Sequence, residues 1–146
     1  MDRDTDGCVF CDIVAGRSPG FIVGQNELAM ALLDINPLAT GHCLVIPRRH
    51  VPWWHDMSRE ETRAVFDLAR EISERIVAAF EPEFVAMYVR GRRIPHTHVF
   101  LVPTSKGDPL DRHFNALEGF QEAAEALASL RDPKHLDEVK RRLLSP

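Results

Sequence analysis

The chain has 146 residues, 45% hydrophobic and 27% charged, with a formal net charge of −4. Such a length and composition indicate one globular domain with a hydrophobic core, and the negative charge argues against a specific nucleic-acid partner. No apolar run approaches the ~20 residues of a membrane span, the acidic start lacks an apolar signal core, and three cysteines argue against a disulfide framework. We therefore expect a cytoplasmic protein.

The first half of the chain predicts one short helix followed by short strands. Residues 1–7 are expected to form a disordered lead, and the apolar segment 8–14 to form one or two helical turns that end near Gly16. Turn residues then delimit the other elements. The predicted strands are residues 22–25, 28–35 and 42–47.

One long amphipathic helix follows. Ser58 and Glu61 have the spacing of a capping box, which marks a helix start. The apolar residues behind them recur with helical spacing for about six turns, as far as Pro82. These residues are Val65, Leu68, Ala69, Ile72, Ile76, Ala79 and Phe80.

Two further strands, 84–90 and 95–102, are expected to form a hairpin around Gly91, followed by helices at 115–131 and 134–144. The order predicts an α+β fold, with a mostly antiparallel sheet, one long helix and a helical C-terminal extension. We assign residues 8–110 to the main domain and 111–146 to an extension packed on the same domain.

The strand at 95–102 carries two histidines. Because side chains alternate along a strand, His96, His98 and Phe100 share one face, and the residues between them point into a core. Two buried imidazoles each need hydrogen-bond partners. The pair indicates a functional site, although a half-exposed surface strand would also explain it.

Cys8-x-x-Cys11 has a spacing that suits one tetrahedral Zn²⁺ ion. A redox pair or simple packing remains open, but no strand precedes the pair as a thioredoxin-like unit requires. His50 and His96 are the candidates for two further ligands, giving a structural Cys₂His₂ zinc site. Cys43 lies in an apolar run and is expected to pack as a small hydrophobe.

Three arginines, Arg90, Arg92 and Arg93, precede the histidine strand. They indicate either a solvated turn or a rim that attracts phosphate, and the sequence leaves both open.

Three blocks together resemble the histidine triad (HIT) family of nucleotide hydrolases and transferases, in its Hint-like bacterial branch. They are CVFCDIVAG at 8–16, LDINPLATGHCLVIPRRH at 33–50 and PHTHVFLVP at 95–103. The resemblance implies a homodimer with a continuous sheet. It also implies a cleft beside the histidine strand for a purine nucleotide such as AMP or GMP.

The resemblance also implies residue roles. His98 corresponds to the family nucleophile, His96 to a zinc ligand, and His42 to a histidine near the α-phosphate, so that His98 and His42 are the expected catalytic residues. Asp34 corresponds to the residue that holds the ribose hydroxyls. Phe10 and Ile13 correspond to the base pocket. Asp34 could instead cap a turn, and Phe10 and Ile13 could simply pack in the core. We add Asn36, Arg92 and Phe100 to the nucleotide-binding set.

Two positions depart from the family pattern. Phe100 stands where the third histidine of the triad is expected, and phenylalanine cannot transfer a proton. The loop before the histidine strand is shortened, with Arg92 where glutamine is expected. Both departures concern catalysis more than the fold.

These features predict a hydrolase or transferase that cleaves a nucleoside 5′-phosphoramidate or another adenylylated compound through a nucleotidyl–His98 intermediate. The alternative is a catalytically weakened nucleotide-binding or regulatory module. A zinc-stapled scaffold that binds a protein partner through Trp53, Trp54 and the C-terminal helices is a third possibility.

Overall fold

The computed structural model describes residues 5–145, and the chain separates into two compact units, Met1–Lys106 and Gly107–Pro146. Residues 1–4 of the predicted disordered lead lie outside the described residues. The division into residues 8–110 and 111–146 stays a prediction about domain organisation.

The first unit is built on a five-stranded sheet. Its strands are β1 (Ile22–Gln25), β2 (Ala29–Leu33), β3 (Cys43–Pro47), β4 (Phe84–Val89) and β5 (Val99–Thr104). Their order across the sheet is β1-β2-β3-β5-β4, and each neighbouring pair is antiparallel. The helices of this unit are α1 (Val9–Val14) and α2 (Arg59–Phe80), with a short 3₁₀ helix at Trp54–Asp56. The predicted α+β class with an antiparallel sheet is confirmed.

The alternation of side chains along the strands places a separate core on each face of the sheet. Ala31, Val45 and Leu101 pack with buried residues of α2 on one face. Leu32 and Leu44 pack with residues of α1 on the other. Since β2, β3 and β5 contribute to both cores, the sheet separates the α2 side from the α1 side.

Helix α2 begins and ends as its sequence predicts. The Ser58 hydroxyl accepts a hydrogen bond from the Glu61 amide, and the Glu61 carboxylate accepts one from the Ser58 amide, which completes the capping box. Glu81, in a left-handed conformation with φ of 48°, ends the helix before Pro82.

The histidine strand is shorter than predicted. Strand β5 begins at Val99, so residues 90–98 form a long connection rather than a tight hairpin around Gly91. Thr97 explains the difference, because its amide and its hydroxyl both donate to the carbonyl of Val51, each at 2.7 Å. These bonds hold the segment away from the ladder with β4.

The second unit contains α3 (Pro109–Ala123), a 3₁₀ helix (Glu125–Arg131) and α4 (Pro133–Leu144). The predicted helix at 115–131 is wrong in its bounds. Asp108 caps the Asp111 amide and Pro109 occupies the first turn, so α3 begins earlier, and the extended backbone at Ala124 ends it. Within residues 5–145, no helix combines the length and the hydrophobicity needed to cross a bilayer.

Candidate functional site

Four metal-ligating side chains meet beside the N-terminal end of α1. Cys8 and Cys11 come from the start and the first turn of this helix, His50 follows β3, and His96 lies in the connection before β5. The Cys11 Sγ atom is 3.3 Å from His50 Nδ1 and 3.5 Å from His96 Nδ1, and Cys8 Sγ is 3.5 Å from His96 Nδ1. All four ligand atoms lie within 4.8 Å of one another.

This spacing is that of a tetrahedral metal site. Bonds of ~2.3 Å to sulfur and ~2.0 Å to nitrogen place tetrahedral ligands about 3.5 Å apart. The Nε2–H of His96 donates to the Pro47 carbonyl at 2.8 Å, so Nδ1 of the neutral ring presents its lone pair to the two cysteines. The four residues are therefore able to bind a metal ion.

The ionisation of the four clustered side chains depends on whether they bind a metal ion. Burial lowers the pKa of His96 to about 4, so this ring is neutral at pH 7. Burial, reinforced by Cys8, raises the pKa of the Cys11 thiol to about 11. A bound divalent cation would offset that rise, because cations stabilise thiolates.

A cleft of about 820 Å³ opens on the α1 side of the sheet. One part of its wall is apolar, and the charged side chains come from Asp34 and from the connection after β4. Its apolar residues include Val9, Phe10, Ile13, Phe21, Leu32 and Leu44, and its charged residues are Asp34, Arg90, Arg92 and Arg93.

His98 lines this cleft although its side chain is only 6% exposed. Its Nδ1–H donates to the His96 carbonyl at 2.7 Å. Because a carbonyl oxygen only accepts, the neutral ring carries its lone pair on Nε2. The rings of Phe10 and Phe100 lie 5.2 and 4.9 Å from the imidazole, centroid to centroid, and hold its orientation.

Phe100 occupies the position of the missing third histidine and packs between aromatic neighbours. Its ring stacks on Tyr88 at 4.5 Å with an interplanar angle of 10°, and it lies 5.7 Å from His42. Tyr88 also lines the cleft, and its role was missed at the sequence level. Tyr88 pairs with Phe100 across β4 and β5, a register that the predicted hairpin around Gly91 does not give.

His42 lies behind the cleft wall rather than in it. Its Nδ1 accepts a hydrogen bond from the Leu38 amide at 3.1 Å, which places the proton of the neutral ring on Nε2. Burial lowers the pKa of His42, against the opposing effect of Asp34. The Nε2 atom is 3.5 Å from Asp34 Oδ2 without hydrogen-bond geometry, and none of the described residues accepts a hydrogen bond from it.

Asp34 has a position that suits both sequence interpretations, a turn cap and a residue of the nucleotide cleft. Its Oδ1 accepts a hydrogen bond from the Asn36 amide at 2.8 Å, so the carboxylate caps the turn after β2, and it also lines the cleft. Phe10 and Ile13 likewise are buried in the core and line the cleft.

The structure brings together nearly all the residues predicted for a site. The four candidate metal ligands form one cluster. The cleft collects His98 and the six residues proposed to bind nucleotide, whereas His42 is not part of its lining. Those six are Phe10, Ile13, Asp34, Asn36, Arg92 and Phe100. Cys43 packs in the α2 core, where burial raises its pKa to about 11.

A family model described as the HIT domain matches residues 15–107 of the chain. An uncharacterized HIT-like protein of Mycoplasma genitalium is 35% identical over 116 residues, which cover 73% of this chain and 82% of the relative. The chain therefore belongs to the histidine triad (HIT) family of nucleotide-binding proteins.

Two other similar proteins have names that state an activity or a bound metal. The adenosine 5′-monophosphoramidase hnt1 of Schizosaccharomyces pombe is 34% identical over 92 residues, covering 63% of this chain and 66% of that protein. A zinc-bound histidine triad family protein from Mycobacterium smegmatis has a crystal structure that superposes with a TM-score of 0.66 at 25% identity. The match covers 83% of this chain and 99% of that one.

Proposed function

We propose that this protein hydrolyses a nucleoside 5′-phosphoramidate or a related adenylylated compound, with His98 as the nucleophile. The observation that carries the proposal is the hydrogen bond from His98 Nδ1 to the His96 carbonyl, which leaves the Nε2 lone pair free in a ring that lines the cleft. The monophosphoramidase activity named for the fission-yeast relative supports the same chemistry.

The reaction proceeds in two displacements at phosphorus. The His98 Nε2 lone pair forms a bond to phosphorus, and the bond from phosphorus to the leaving group breaks with its electron pair on the leaving group. Water then attacks the nucleotidyl-imidazole, the phosphorus–nitrogen bond to His98 breaks, and a proton of the water passes to solvent. The products are a nucleoside monophosphate and the free leaving group.

The cleft supplies complementary surfaces for each part of a purine nucleotide. The apolar wall formed by Phe10 and Ile13 accepts the base, and the Asp34 carboxylate accepts the ribose hydroxyls. The Arg92 guanidinium is a donor for phosphate oxygens. We assign His42 a positioning role, because it is buried, its ring contacts Phe100 and its Nε2 lies 3.5 Å from the Asp34 carboxylate.

We further propose that the Cys8, Cys11, His50 and His96 cluster holds a structural Zn²⁺ ion. Such an ion would cross-link α1 to the segment that carries His98. The zinc-bound mycobacterial relative supports this choice of metal. A resident ion would also hold the His96 ring in place, and the His96 carbonyl is the acceptor for His98 Nδ1.

Adenosine 5′-phosphoramidate hydrolysis by wild-type protein and by His98→Ala tests the proposal. We expect the variant to lose more than ~10³-fold in kcat, as expected for loss of a nucleophile. His135→Ala, which changes an exposed histidine of the second unit, should keep the wild-type rate. Equal rates for wild type and His98→Ala would contradict the proposal.

Phe100 favours a second candidate function, a nucleotide-binding module with little turnover. Its ring can neither donate nor accept a proton, and general acid assistance is worth ~10²–10⁴ in rate. Calorimetric AMP binding without detectable hydrolysis would favour this function. Absence of AMP binding would contradict both functions.

We also propose that the protein forms a homodimer in the cytoplasm. Strand β4 lies at an edge of the sheet and exposes the apolar side chains of Phe84 and Met87, which a second copy could cover. The three cysteines are free thiols, which fits a reducing compartment.

A further inference from the structure

We infer that the preferred substrate is a nucleoside 5′-phosphoric anhydride, in which the leaving group departs as an oxyanion such as sulfate or phosphate, rather than a phosphoramidate that releases an amine. The inference rests on the proposed function and narrows its substrate class. Two independent features of the cleft carry it, namely the ring at position 100 and the arginines after β4.

The first feature is that the two phenylalanine rings in contact with the nucleophile can donate no proton. When a phosphorus–nitrogen bond breaks, the electron pair stays on nitrogen, and the amine leaves readily only if it gains a proton. The rings of Phe10 and Phe100 contact His98 and carry no acidic proton. The Nδ1–H of His98 is already donated to the His96 carbonyl.

An oxyanion needs no such proton. When a phosphorus–oxygen bond of an anhydride breaks, the electron pair stays on the leaving oxygen, and sulfate or phosphate is stable in that form near pH 7. The aromatic environment of His98 therefore handicaps cleavage of a phosphoramidate more than cleavage of an anhydride.

The second feature is the excess of positive charge in the cleft. Three guanidinium groups, from Arg90, Arg92 and Arg93, line it beside a single carboxylate, that of Asp34, although the whole chain has a net charge of −4. All three arginines are exposed. The nucleotide phosphate of a phosphoramidate carries one negative charge, which one arginine can pair. The remaining positive charge suits a second anionic group.

The backbone between these arginines lies close to the His98 ring. Gly91, between Arg90 and Arg92, is buried, and a Cβ atom on it would be 3.9 Å from His98 Cε1. The backbone that carries the arginines therefore passes beside the imidazole. Guanidinium groups there would donate charge-assisted hydrogen bonds to the departing oxyanion as its charge develops.

The experiment compares three adenosine compounds: the 5′-phosphoramidate, the 5′-phosphosulfate and diadenosine triphosphate. The variants are Phe100→His, the double variant Arg92→Gln/Arg93→Gln, and Arg63→Gln. Arg63 is an exposed arginine of α2, which packs on the opposite face of the sheet from the cleft. For wild type and for each variant, we compare kcat/KM for each of the two anhydrides with kcat/KM for the phosphoramidate.

We expect wild type to favour both anhydrides. Phe100→His should raise phosphoramidate turnover ~10²-fold and change anhydride turnover little, because a proton donor is restored. The double arginine variant should lower kcat/KM for the anhydrides ~10-fold and for the phosphoramidate much less. Arg63→Gln should match wild type. A response to the phosphosulfate alone would identify sulfate as the leaving group. A response to the triphosphate alone would identify a nucleotide phosphate as the leaving group, because cleavage at the α-phosphorus of that compound releases ADP.

The inference is overturned if wild type cleaves the phosphoramidate at least as well as both anhydrides, or if the double arginine variant leaves the ratios unchanged. In either case, turnover that depends on His98 would leave the proposed function standing. Loss of phosphoramidate turnover in Tyr88→Phe would also overturn it, by identifying Tyr88 as the proton donor. Hydrolysis of none of the three compounds would contradict the proposed function itself.

Discussion

Two histidine rings in this site are oriented by backbone carbonyls. His96 donates to Pro47 through Nε2, and His98 donates to His96 through Nδ1. The opposite nitrogens differ accordingly: His96 presents Nδ1 to the cysteines, and His98 presents Nε2. Two residues apart in sequence, the same side chain thus presents the lone pair of Nδ1 at one position and that of Nε2 at the other.

A second residue pair, Arg49 and Glu61, makes stability depend on pH. The guanidinium donates to both carboxylate oxygens, at 2.6 and 2.8 Å, and this bonding holds the pKa of Glu61 below its usual value. Such a carboxylate stabilises the fold above its unfolded-state pKa, about 4.3. That contribution is lost as the pH falls through the lower folded-state pKa.

We expect Glu61→Gln to lower the free energy of unfolding by about 1 kcal/mol at pH 7, since charge-assisted bonds are lost while the cap can persist. The difference from wild type should shrink below pH ~4, where wild-type Glu61 itself becomes protonated. Urea unfolding at several pH values measures it. Glu60→Gln, an exposed neighbour in the same turn, should cost much less. A pH-independent difference would show that the ion pair is not its source.

At the scale of elements, α1 depends on tertiary contacts. It has only six residues, and Cys8 at its N-cap makes no side-chain capping bond. Isolated helices shorter than ~12 residues are marginal in water. Its stability must come from the burial of Phe10 and Ile13 and from the cluster that Cys8 and Cys11 share with two histidines of distant segments.

Removal of the metal should therefore loosen α1. We expect purified protein to hold one zinc ion per chain, and Cys8→Ser to abolish it and lower the melting temperature by several degrees. Elemental analysis and thermal unfolding, with and without a chelator, measure both effects. Cys43→Ala changes the cysteine outside the cluster and should keep the metal. Metal-free wild type with an unchanged melting temperature would contradict this role.

At the scale of the whole molecule, the main hydrophobic core and the candidate site lie on opposite sides of the sheet. The core on the α2 side includes Ile72 and Val65. The cleft and the metal cluster use residues of the opposite side and the connections around it. Substitutions in the α2 core should change unfolding more than they change the site.

Ile72→Ala tests this separation, because Ile72 is 2% exposed. We expect a loss of ~2–5 kcal/mol in unfolding free energy, with metal content unchanged in the folded protein. Denaturant unfolding followed by the fluorescence of Trp53 and Trp54 measures the loss. Val77→Ala, at a half-exposed position of the same helix, should cost less than ~1 kcal/mol. Lower metal content in folded Ile72→Ala would show that the two sides are coupled.

The sequence by itself determined those elements whose signals come from residues a few positions apart in the chain. The capping box at Ser58 and the spacing of α2 predicted that helix correctly, because capping and helical periodicity depend on residues a few positions apart. Alternation predicted the opposite faces of Val99 and Phe100. The histidine strand and the start of α3 were misplaced. A remote carbonyl, that of Val51, competes for Thr97, and the capping signal of Asp108 was overlooked.

Only the tertiary structure decided how these residues act together. Cys8 and His96 are 88 positions apart, yet their ligand atoms are 3.5 Å apart. The tautomers of His96 and His98, the place of His42 behind the wall and the stacking of Tyr88 on Phe100 depend on atoms from separate segments. Residue types and spacings indicate which chemistry is possible, whereas hydrogen-bond geometry between distant segments decides which nitrogen is free to perform it.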